Sequence, residues 1–123
     1  MVEIPVIRQM HPQVKIGDSV FDVRLSEADI LERQCALYNK FTRLMNNTPG
    51  AGASDDAKAQ YVDEVVCMKR GMLQLVNDVL GEGAFEAITG GGFVDDTTLA
   101  QITVMVREAA IDAIAKEVER VYE

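Results

Sequence analysis

Apolar residues recur at helical spacing over two long stretches of this chain, and these stretches limit what it can fold into. Residues 54–80 begin with polar residues that suit a helix N-terminus, and the pattern places Gly81 at a left-handed C-cap. Residues 95–121 begin in the same way and carry apolar residues at every third or fourth position. Each helix should measure about 40 Å. Short turns between helices of this length favour antiparallel neighbours in a small bundle.

A third helix and a short hairpin are predicted ahead of these stretches. Ser26 and Asp29 form a capping-box pattern, and helical spacing of apolar residues then continues to about Asn46. Earlier, alternating apolar residues flank Gly17-Asp18, a pair that suits a tight hairpin turn. Two strands alone are marginal in water, so the hairpin should pack on the helices or pair with a strand of another copy.

The length of 123 residues predicts one domain. Leu, Ile, Val and Phe make up 35 of the 123 residues, which is enough for an ordinary core and well above the content of disordered chains. The predicted fold is mainly α, a small antiparallel helical bundle with an N-terminal β-hairpin. Its parts are an N-terminal arm at 1–12, a β-hairpin at 13–25, and a bundle of three long helices plus a short helix at 26–123.

The net charge is −8, and all of it falls in the second half of the chain. Residues 1–53 hold six basic and six acidic side chains, whereas residues 54–123 hold six and fourteen. This acidic half either steers a basic partner or keeps the surface soluble. Such a chain repels phosphate backbones, and no stretch approaches the roughly 18 apolar residues of a membrane span. We therefore expect no nucleic-acid or membrane partner and a cytoplasmic location.

No pattern of residues predicts an enzyme. His11 is the only histidine, which leaves no His-based triad and no zinc motif. The glycines at 81–92 lack the spacing and the lysine of a phosphate-binding loop, and the acidic residues beside them lack the alternation of a calcium loop. A solvated face explains Glu108 and Asp112 better than acid–base catalysis does. We predict no catalytic residue, no cofactor and no metal site.

The long helices carry more apolar surface than one core requires, and several of these residues are methionine. Methionine adapts to apolar partners of differing sequence, which favours a partner-binding surface. The candidate partner-binding residues are Met68, Met72, Leu73, Val76, Phe85 and Met105. Two alternatives explain the same residues, since they either form the core or are shared with a second copy in a homo-oligomer. Cys35 and Cys67 fall in apolar helical patterns, so we expect two buried, reduced thiols.

The order of the elements and two of their segments resemble small tail proteins encoded by siphophages and prophages of bacteria. The segments are residues 14–23 (VKIGDSVFDV) and 75–88 (LVNDVLGEGAFEAI). The family that they resemble is the tail assembly chaperone-like family. This resemblance implies a mostly helical, non-enzymatic protein of the host cytoplasm that binds the tape measure protein before the tail polymerises. It transfers no catalytic or contact residue to this chain.

Two functions follow as hypotheses. The first is a phage assembly chaperone that binds apolar helices of the tape measure protein, or of another tail protein, through its long helices. The second is a structural tail or capsid-associated protein that self-assembles into a dimer or ring through the hairpin edges and is present in the virion. A third hypothesis, a small cytosolic enzyme, has no catalytic residue pattern to support it.

Overall fold

The computed structural model describes residues 1–4 and 10–122 and shows a mainly helical fold with an N-terminal β-hairpin. The elements are β1 (Gln13–Ile16), β2 (Ser19–Asp22), α1 (Glu27–Asn46), α2 (Asp55–Leu80), α3 (Ala84–Thr89) and α4 (Asp96–Tyr122). This confirms the predicted three long helices, short helix and hairpin. Residues 1–4 and 10–12 of the predicted arm form no helix or strand, and its residues 5–9 lie outside the described part, as does residue 123.

The hairpin is antiparallel and turns at Gly17. This glycine has a φ of 58°, which L side chains rarely adopt, so it fits the tight turn that the sequence predicts. Val14 lies opposite Phe21 in the ladder, and both pack against the helical core. The hairpin therefore packs on the helices, although its ladder ends at residue 22, short of the predicted 25.

Side-chain caps begin the three long helices where the sequence predicts them. The Ser26 hydroxyl accepts a hydrogen bond from the Asp29 amide, and the Ser54 hydroxyl accepts one from the third amide of α2, both at 3.1 Å. The Asp95 carboxylate accepts from the Thr98 amide at 2.9 Å. Such a cap typically stabilises a protein by about 1 kcal/mol, because it satisfies an otherwise unpaired amide of the first turn.

Arg24 joins the hairpin to the end of α2. Its backbone N–H donates to the Val79 carbonyl at 2.8 Å, and its guanidinium fills the space where a side chain at Gly81 would lie. Gly81 caps α2 with a positive φ of 103°, as the sequence predicts, but its ψ of 163° differs from that of the predicted left-handed cap. The extended ψ carries the chain past Arg24, and the left-handed residues are Gly83 and Gly90 instead.

Contacts between α1 and α2 show that the two helices are antiparallel. Arg33, early in α1, pairs with Asp78 near the end of α2. At the other end, the hydroxyls of Thr48 and Tyr61 lie 3.4 Å apart. The short turn between these helices therefore gives the antiparallel pair that the sequence predicts.

In contrast, α4 runs in the same direction as α2. Asp96, the first residue of α4, pairs with Lys69 in the middle of α2 at 2.7 Å. Farther along α4, the Arg107 guanidinium donates to the Gln34 side chain, near the start of α1, at 2.8 Å. The connection over residues 81–95 is long enough to return the chain halfway along α2 before α4 begins.

The core lies where all three long helices overlap with α3 and the hairpin. Its buried residues are Ile30, Leu75, Val76, Val79, Leu80, Ala84, Ile102, Val106 and Ala110. We call this region the closed end. Residues 38–68, which form the far halves of α1 and α2 and the turn between them, include just two buried residues, Leu44 and Met68. We call this region the open end.

Both cysteines are free and exposed, so the prediction of two buried thiols is wrong. The reason is that α1 buries a narrow stripe. Ile30 and Leu44 are buried and lie about four helical turns apart on one face of α1. Cys35 lies on the outer side of the helix with Tyr38, which is 67 % exposed. Cys67 likewise falls outside the face of α2 that packs against the other helices. The apolar pattern of these helices is therefore wider than the face that the core covers.

Candidate functional site

An apolar cleft opens between α1, α2 and the beginning of α4. Its volume is about 130 Å³, and most side chains in its walls are apolar. The residues that line it are mainly Phe41, Met45, Val65, Met68, Met72 and Leu99. We call these six residues the apolar cleft. Concave and mostly apolar surfaces of this kind are where proteins bind ligands and partners.

The cleft exists because α4 begins halfway along α2. The stripe that α2 directs to the cleft is Tyr61, Val65, Met68 and Met72. Its spacing of four, three and four residues is typical of a helix that packs against another helix. The ion pair between Lys69 and Asp96 shows that α4 starts beside the middle of α2, so α4 covers just the later part of this stripe. Tyr61 and Val65 lie beyond the start of α4.

Exposed apolar side chains border the cleft on both helices. On α1, Met45 is 60 % exposed and Phe41 is 40 % exposed. On α2, Val62 and Val66 each follow a cleft-facing residue and are 57 % and 37 % exposed. Three of the six cleft residues are methionine, a flexible side chain that adapts to differing apolar partners. Exposed apolar side chains on both helices beside an apolar cleft are typical of a protein contact site.

Polar side chains hold the turn at the open end in place. The Asn47 side-chain amide donates to the Arg43 carbonyl at 2.7 Å, and the Thr48 hydroxyl donates to the Met45 carbonyl at 3.2 Å. These bonds satisfy carbonyls that the end of α1 would otherwise leave unpaired. The Tyr61 hydroxyl meets Thr48 from the side of α2. The two helices are thus held together here without a third helix.

Two of the three basic residues of α1 lie away from the cleft. Arg33 pairs with Asp78 at the closed end, and Arg43 lines a separate cavity together with Glu64. The charged residues that line the cleft are Lys69 and Asp96. The pair of Lys69 and Asp96 lies at the cleft edge with side chains 40 % and 74 % exposed, so solvent screens most of its attraction.

A second apolar surface adjoins the cleft beside α3. A cavity of about 250 Å³ is lined there by Leu73, Phe85, Val94 and Leu99, with Lys69 and Arg70 at its edge. We call Leu73, Phe85 and Val94 the α3 surface. Leu99 lines both this cavity and the apolar cleft. The neighbouring Phe93, in the loop before α4, is 97 % exposed.

The structure separates the six predicted partner-binding residues into four places. Met68 and Met72 line the apolar cleft, with Met68 6 % exposed. Leu73 and Phe85 belong to the α3 surface. Val76 is fully buried in the core, so it presents no surface to a partner. Met105 is 53 % exposed on an outer face of α4.

Sequence reasoning missed the α1 side of the cleft. Phe41 and Met45 belong to the helical spacing of apolar residues that predicts the first helix, and that spacing gives them no partner-binding role. The available signal was the width of that stripe, because a stripe wider than one packing face leaves part of itself exposed. Val65 was missed for a different reason, since its exposure depends on where α4 begins.

Asp78 takes part in a polar network at the closed end. Its carboxylate accepts from the Gln74 amide at 2.7 Å and from the guanidinium of Arg33. The hydrogen bond from Gln74, followed by the contact with Arg33, lowers the pKa of Asp78 below its ordinary value. This network joins α1 to α2 away from the apolar cleft.

His11 is exposed, and its backbone N–H donates to the Glu117 carboxylate at 3.0 Å, which ties the described end of the arm to α4. Within residues 1–4 and 10–122, no group of three or more His, Cys, Asp and Glu side chains is placed to hold a metal ion. Over the same residues, no helix has the length and apolar character that crossing a bilayer requires.

Comparison with known protein families, with curated proteins and with solved structures finds no match to this chain. Residues 14–23 and 75–88 lie at the closed end, where β1 packs against α3 and α4. The apolar cleft lies away from them, toward the open end.

Proposed function

We propose that this chain is a non-enzymatic tail assembly protein of a bacterial phage or prophage and acts as a chaperone for the tape measure protein. The apolar cleft holds an amphipathic helix of that protein in the host cytoplasm before the tail polymerises. The observation that carries the binding function is the stripe of α2 left without a covering helix. The resemblance of residues 14–23 and 75–88 supports the phage assignment.

A helix is the occupant that the shape of the cleft favours. The antiparallel α1 and α2 form a groove, and a third helix fits into such a groove by ridge-and-groove packing. The uncovered residues Tyr61 and Val65, together with Met68 at the deep end of the cleft, span about 10 Å, or two helical turns. That length accepts apolar anchors at positions i, i+3 or i+4, and i+7 of a bound helix.

The methionines of the cleft suit a client with several different helices. Met45, Met68 and Met72 have unbranched, flexible side chains that can repack around differing apolar anchors. Promiscuous binding surfaces use the same property. A chaperone that shields successive apolar stripes of one long protein requires such tolerance.

Affinity copurification of the tagged chain from an induced lysogen, with mass spectrometry of the retained proteins, tests this function. The informative variant is Met45→Asp, because its exposed position tolerates the change while a bound apolar helix would bury the carboxylate at a large cost. We expect this variant to retain at least about tenfold less tape measure protein. Val118→Asp is the matched control, since Val118 is 39 % exposed and lies about 30 Å along α4 from the cleft.

The outcomes separate the parts of the proposal. Tape measure protein in the wild-type sample, with no copy of this chain in finished virions, supports a chaperone. Equal recovery with folded Met45→Asp rejects the cleft as the binding site. Recovery of no tail protein at all rejects the phage assignment.

A structural, self-assembling tail or capsid-associated protein is the second candidate. Its supporting observation is the two-stranded sheet, in which each strand pairs on one side with the other and leaves its second edge open among the described strands. Val20, on β2, is 57 % exposed. Open edges and exposed apolar strand residues favour pairing with a further strand. This candidate requires copies of the chain in purified virions, which mass spectrometry detects.

A further inference from the structure

We infer that the first turn of α4 opens as a unit and joins the apolar cleft to the α3 surface in one longer groove. The part that opens is residues 95–99, which we call the α4 gate. The opening is a property of this chain alone, whereas its use in binding a client helix rests on the proposed function of the cleft.

Two cavities meet at the α4 gate. The apolar cleft, of about 130 Å³, lies on one side, and the cavity beside the α3 surface, of about 250 Å³, lies on the other. Leu99 and Lys69 line both cavities. Because Leu99 is 8 % exposed and borders both spaces, its side chain forms part of the wall between them. Displacement of Leu99 therefore joins the two cavities.

The contacts that hold the gate closed are few. Asp96 pairs with Lys69 at 2.7 Å, but their side chains are 74 % and 40 % exposed, so solvent screens most of this attraction. Residues 95–98 are all exposed, which leaves Leu99 as the one buried residue of the gate. The core includes α4 from Ile102 onward, three residues beyond Leu99. A segment with so little buried surface has a low local stability, which favours its opening without unfolding of the core.

The local sequence also makes the helix weak at the gate. Thr97 and Thr98 are β-branched, and such residues disfavour a helix relative to alanine because they lose χ1 freedom. The Asp95 carboxylate accepts from the Thr98 amide, but this bond lies within the gate and ties it to no other element.

The gate lies between two points that stay packed. Val94 packs against the core on one side of it, and Ile102 belongs to the core on the other. An unwound residue spans up to about 3.3 Å of chain, whereas a helical residue spans about 1.5 Å. Unwinding of the first turn therefore gives the chain between Val94 and Ile102 enough length to move away from α2.

Opening lengthens the surface that a bound helix can contact. The closed cleft offers Tyr61, Val65 and Met68 over about 10 Å. The joined groove continues beneath the gate to Leu73, about 18 Å along α2 from Tyr61, or about three helical turns. A helix of that length binds the open state better than the closed state, and such a difference in affinity shifts the population toward the open state.

Hydrogen exchange of the full chain, resolved at single amides by NMR, tests the opening. The amides of Thr98 and Leu99 donate to Asp95, and those of residues 100 and 101 bond to the first residues of α4 in the helical pattern. Opening as a unit breaks all four bonds at once. The four amides should therefore share one protection factor, at least about tenfold below that of residues 106–110.

Two exchange results would overturn the inference. Protection that rises steadily from residue 98 to residue 101 indicates ordinary fraying of a helix end. Protection of these amides equal to that of residues 106–110 indicates that the gate opens only when the core unfolds.

Two substitutions should change the opening in opposite directions. Asp96→Asn removes the pair with Lys69 and an acidic side chain at the helix N-terminus, so exchange at 98–101 should become about threefold faster. Thr97→Ala, at an exposed position, favours the helix and should slow the exchange about twofold. Asp112→Asn, which removes an exposed pair with Lys116 later in α4, is the matched control and should leave these amides unchanged.

Thiol labelling tests whether Leu99 leaves the wall between the cavities. In a chain that carries Cys35→Ser and Cys67→Ser, the thiol of Leu99→Cys should be protected until the gate opens. Its reaction with N-ethylmaleimide should follow the exchange of residues 98–101 and become about threefold faster when Asp96→Asn is added. Labelling no faster than global unfolding would show that the cavities stay separate, which would overturn the inference.

Copurification from the induced lysogen tests the use of the gate in client binding. Because Asp96 itself lines the cleft, the informative variant is Thr97→Ala, which lies outside both cavity linings. It should retain about twofold less tape measure protein than wild type, since fewer molecules have the open groove. Equal capture together with slower exchange would exclude a role of the gate in client binding. Recovery of no tail protein from any variant would reject the proposed function, while exchange and labelling would still decide the opening.

Discussion

The closed end and the open end of this molecule carry similar apolar sequences and differ in how many elements cover them. At the closed end, α2 is covered by α1, α3, α4 and the hairpin, and Val76 and Val79 are 0 % and 1 % exposed. At the open end, the same helix leaves Val62 57 % exposed. Helical periodicity selects a face, but the covering element decides whether that face becomes core or contact surface.

The start of α4 sets the boundary between the two ends. The connection at 81–95 returns the chain to the level of Lys69, and the half-buried Val94 and Phe85 hold that connection against the core. An earlier start of α4 along α2 would cover Val65 and close the cleft. The binding surface is thus a consequence of the length and packing of one connection.

Truncation of a large side chain at each end should give the largest difference in the free energy of unfolding. Leu80 is 1 % exposed in the core, so Leu80→Ala should lower the free energy of unfolding by about 3 kcal/mol through lost burial and a new cavity. Met45→Ala, at a position 60 % exposed, should change it by less than about 0.5 kcal/mol. Urea denaturation followed by circular dichroism measures both, and similar losses would show that the two ends are packed alike.

Glycine substitutions extend the comparison to the backbone. Gly81→Ala should cost about 2 kcal/mol, because its φ of 103° strains an L residue and its Cβ would lie 2.8 Å from Arg24 Nε. Gly50, in the turn of the open end, has no atom within 4 Å of a built Cβ and no positive φ. Gly50→Ala should therefore stabilise the chain by about 0.5 kcal/mol through the unfolded state. A Gly81→Ala variant as stable as wild type would contradict the strain expected for an L residue at this φ.

The two serine caps have the same geometry at opposite ends, so they test local stability. Ser26→Ala should lower global stability by about 1 kcal/mol, since α1 begins beside the buried Ile30. Ser54→Ala should lower it less, because the first turn of α2 can fray without opening the core. Hydrogen exchange should instead become faster in the amides of the first α2 turn. Equal global losses would indicate that the open end unfolds together with the closed end.

Local features were predictable from the sequence because their causes are local. Ser26 begins a helix through a bond to an amide three residues away, and Gly17 turns the hairpin through its own φ. The burial of each apolar residue was less predictable, since it depends on elements distant in the chain. Val76 was proposed as a contact residue and is core, whereas Cys35 was proposed as buried and is exposed.

The residues of the cleft were predictable in part, because some of them depend on α2 alone and others on where α4 begins. Met68 and Met72 follow from the excess apolar surface of α2, and the structure places both in the cleft. Phe41 and Met45 require knowledge that α4 starts too late to cover them. The direction of α4 could not be predicted from the sequence either. A connection that contains its own short helix at 84–89 allows the next helix to run parallel or antiparallel to α2.

The smallest predicted effect concerns Asp78, whose network with Gln74 and Arg33 joins α1 to α2 at the closed end. These contacts lower the pKa of Asp78, so the folded chain binds this proton less readily than the unfolded chain, where the pKa is about 3.9. The stabilisation is therefore present above about pH 4 and is lost as the pH falls through the lower folded pKa. Because the paired side chains of Arg33 and Asp78 are 36 % and 35 % exposed, screening limits it to less than about 0.5 kcal/mol.

Urea midpoints of wild type and Asp78→Asn at neutral and acidic pH measure this contribution. The variant should be slightly less stable at pH 7, and the difference should shrink as the pH falls below about 4, because the wild-type carboxylate then loses its charge. Asp63→Asn, on an exposed position of α2 at the open end, is the matched control and should leave the midpoint unchanged at both pH values. A difference that grows on acidification would mean that the network favours protonated Asp78, which would contradict the lowered pKa of this carboxyl.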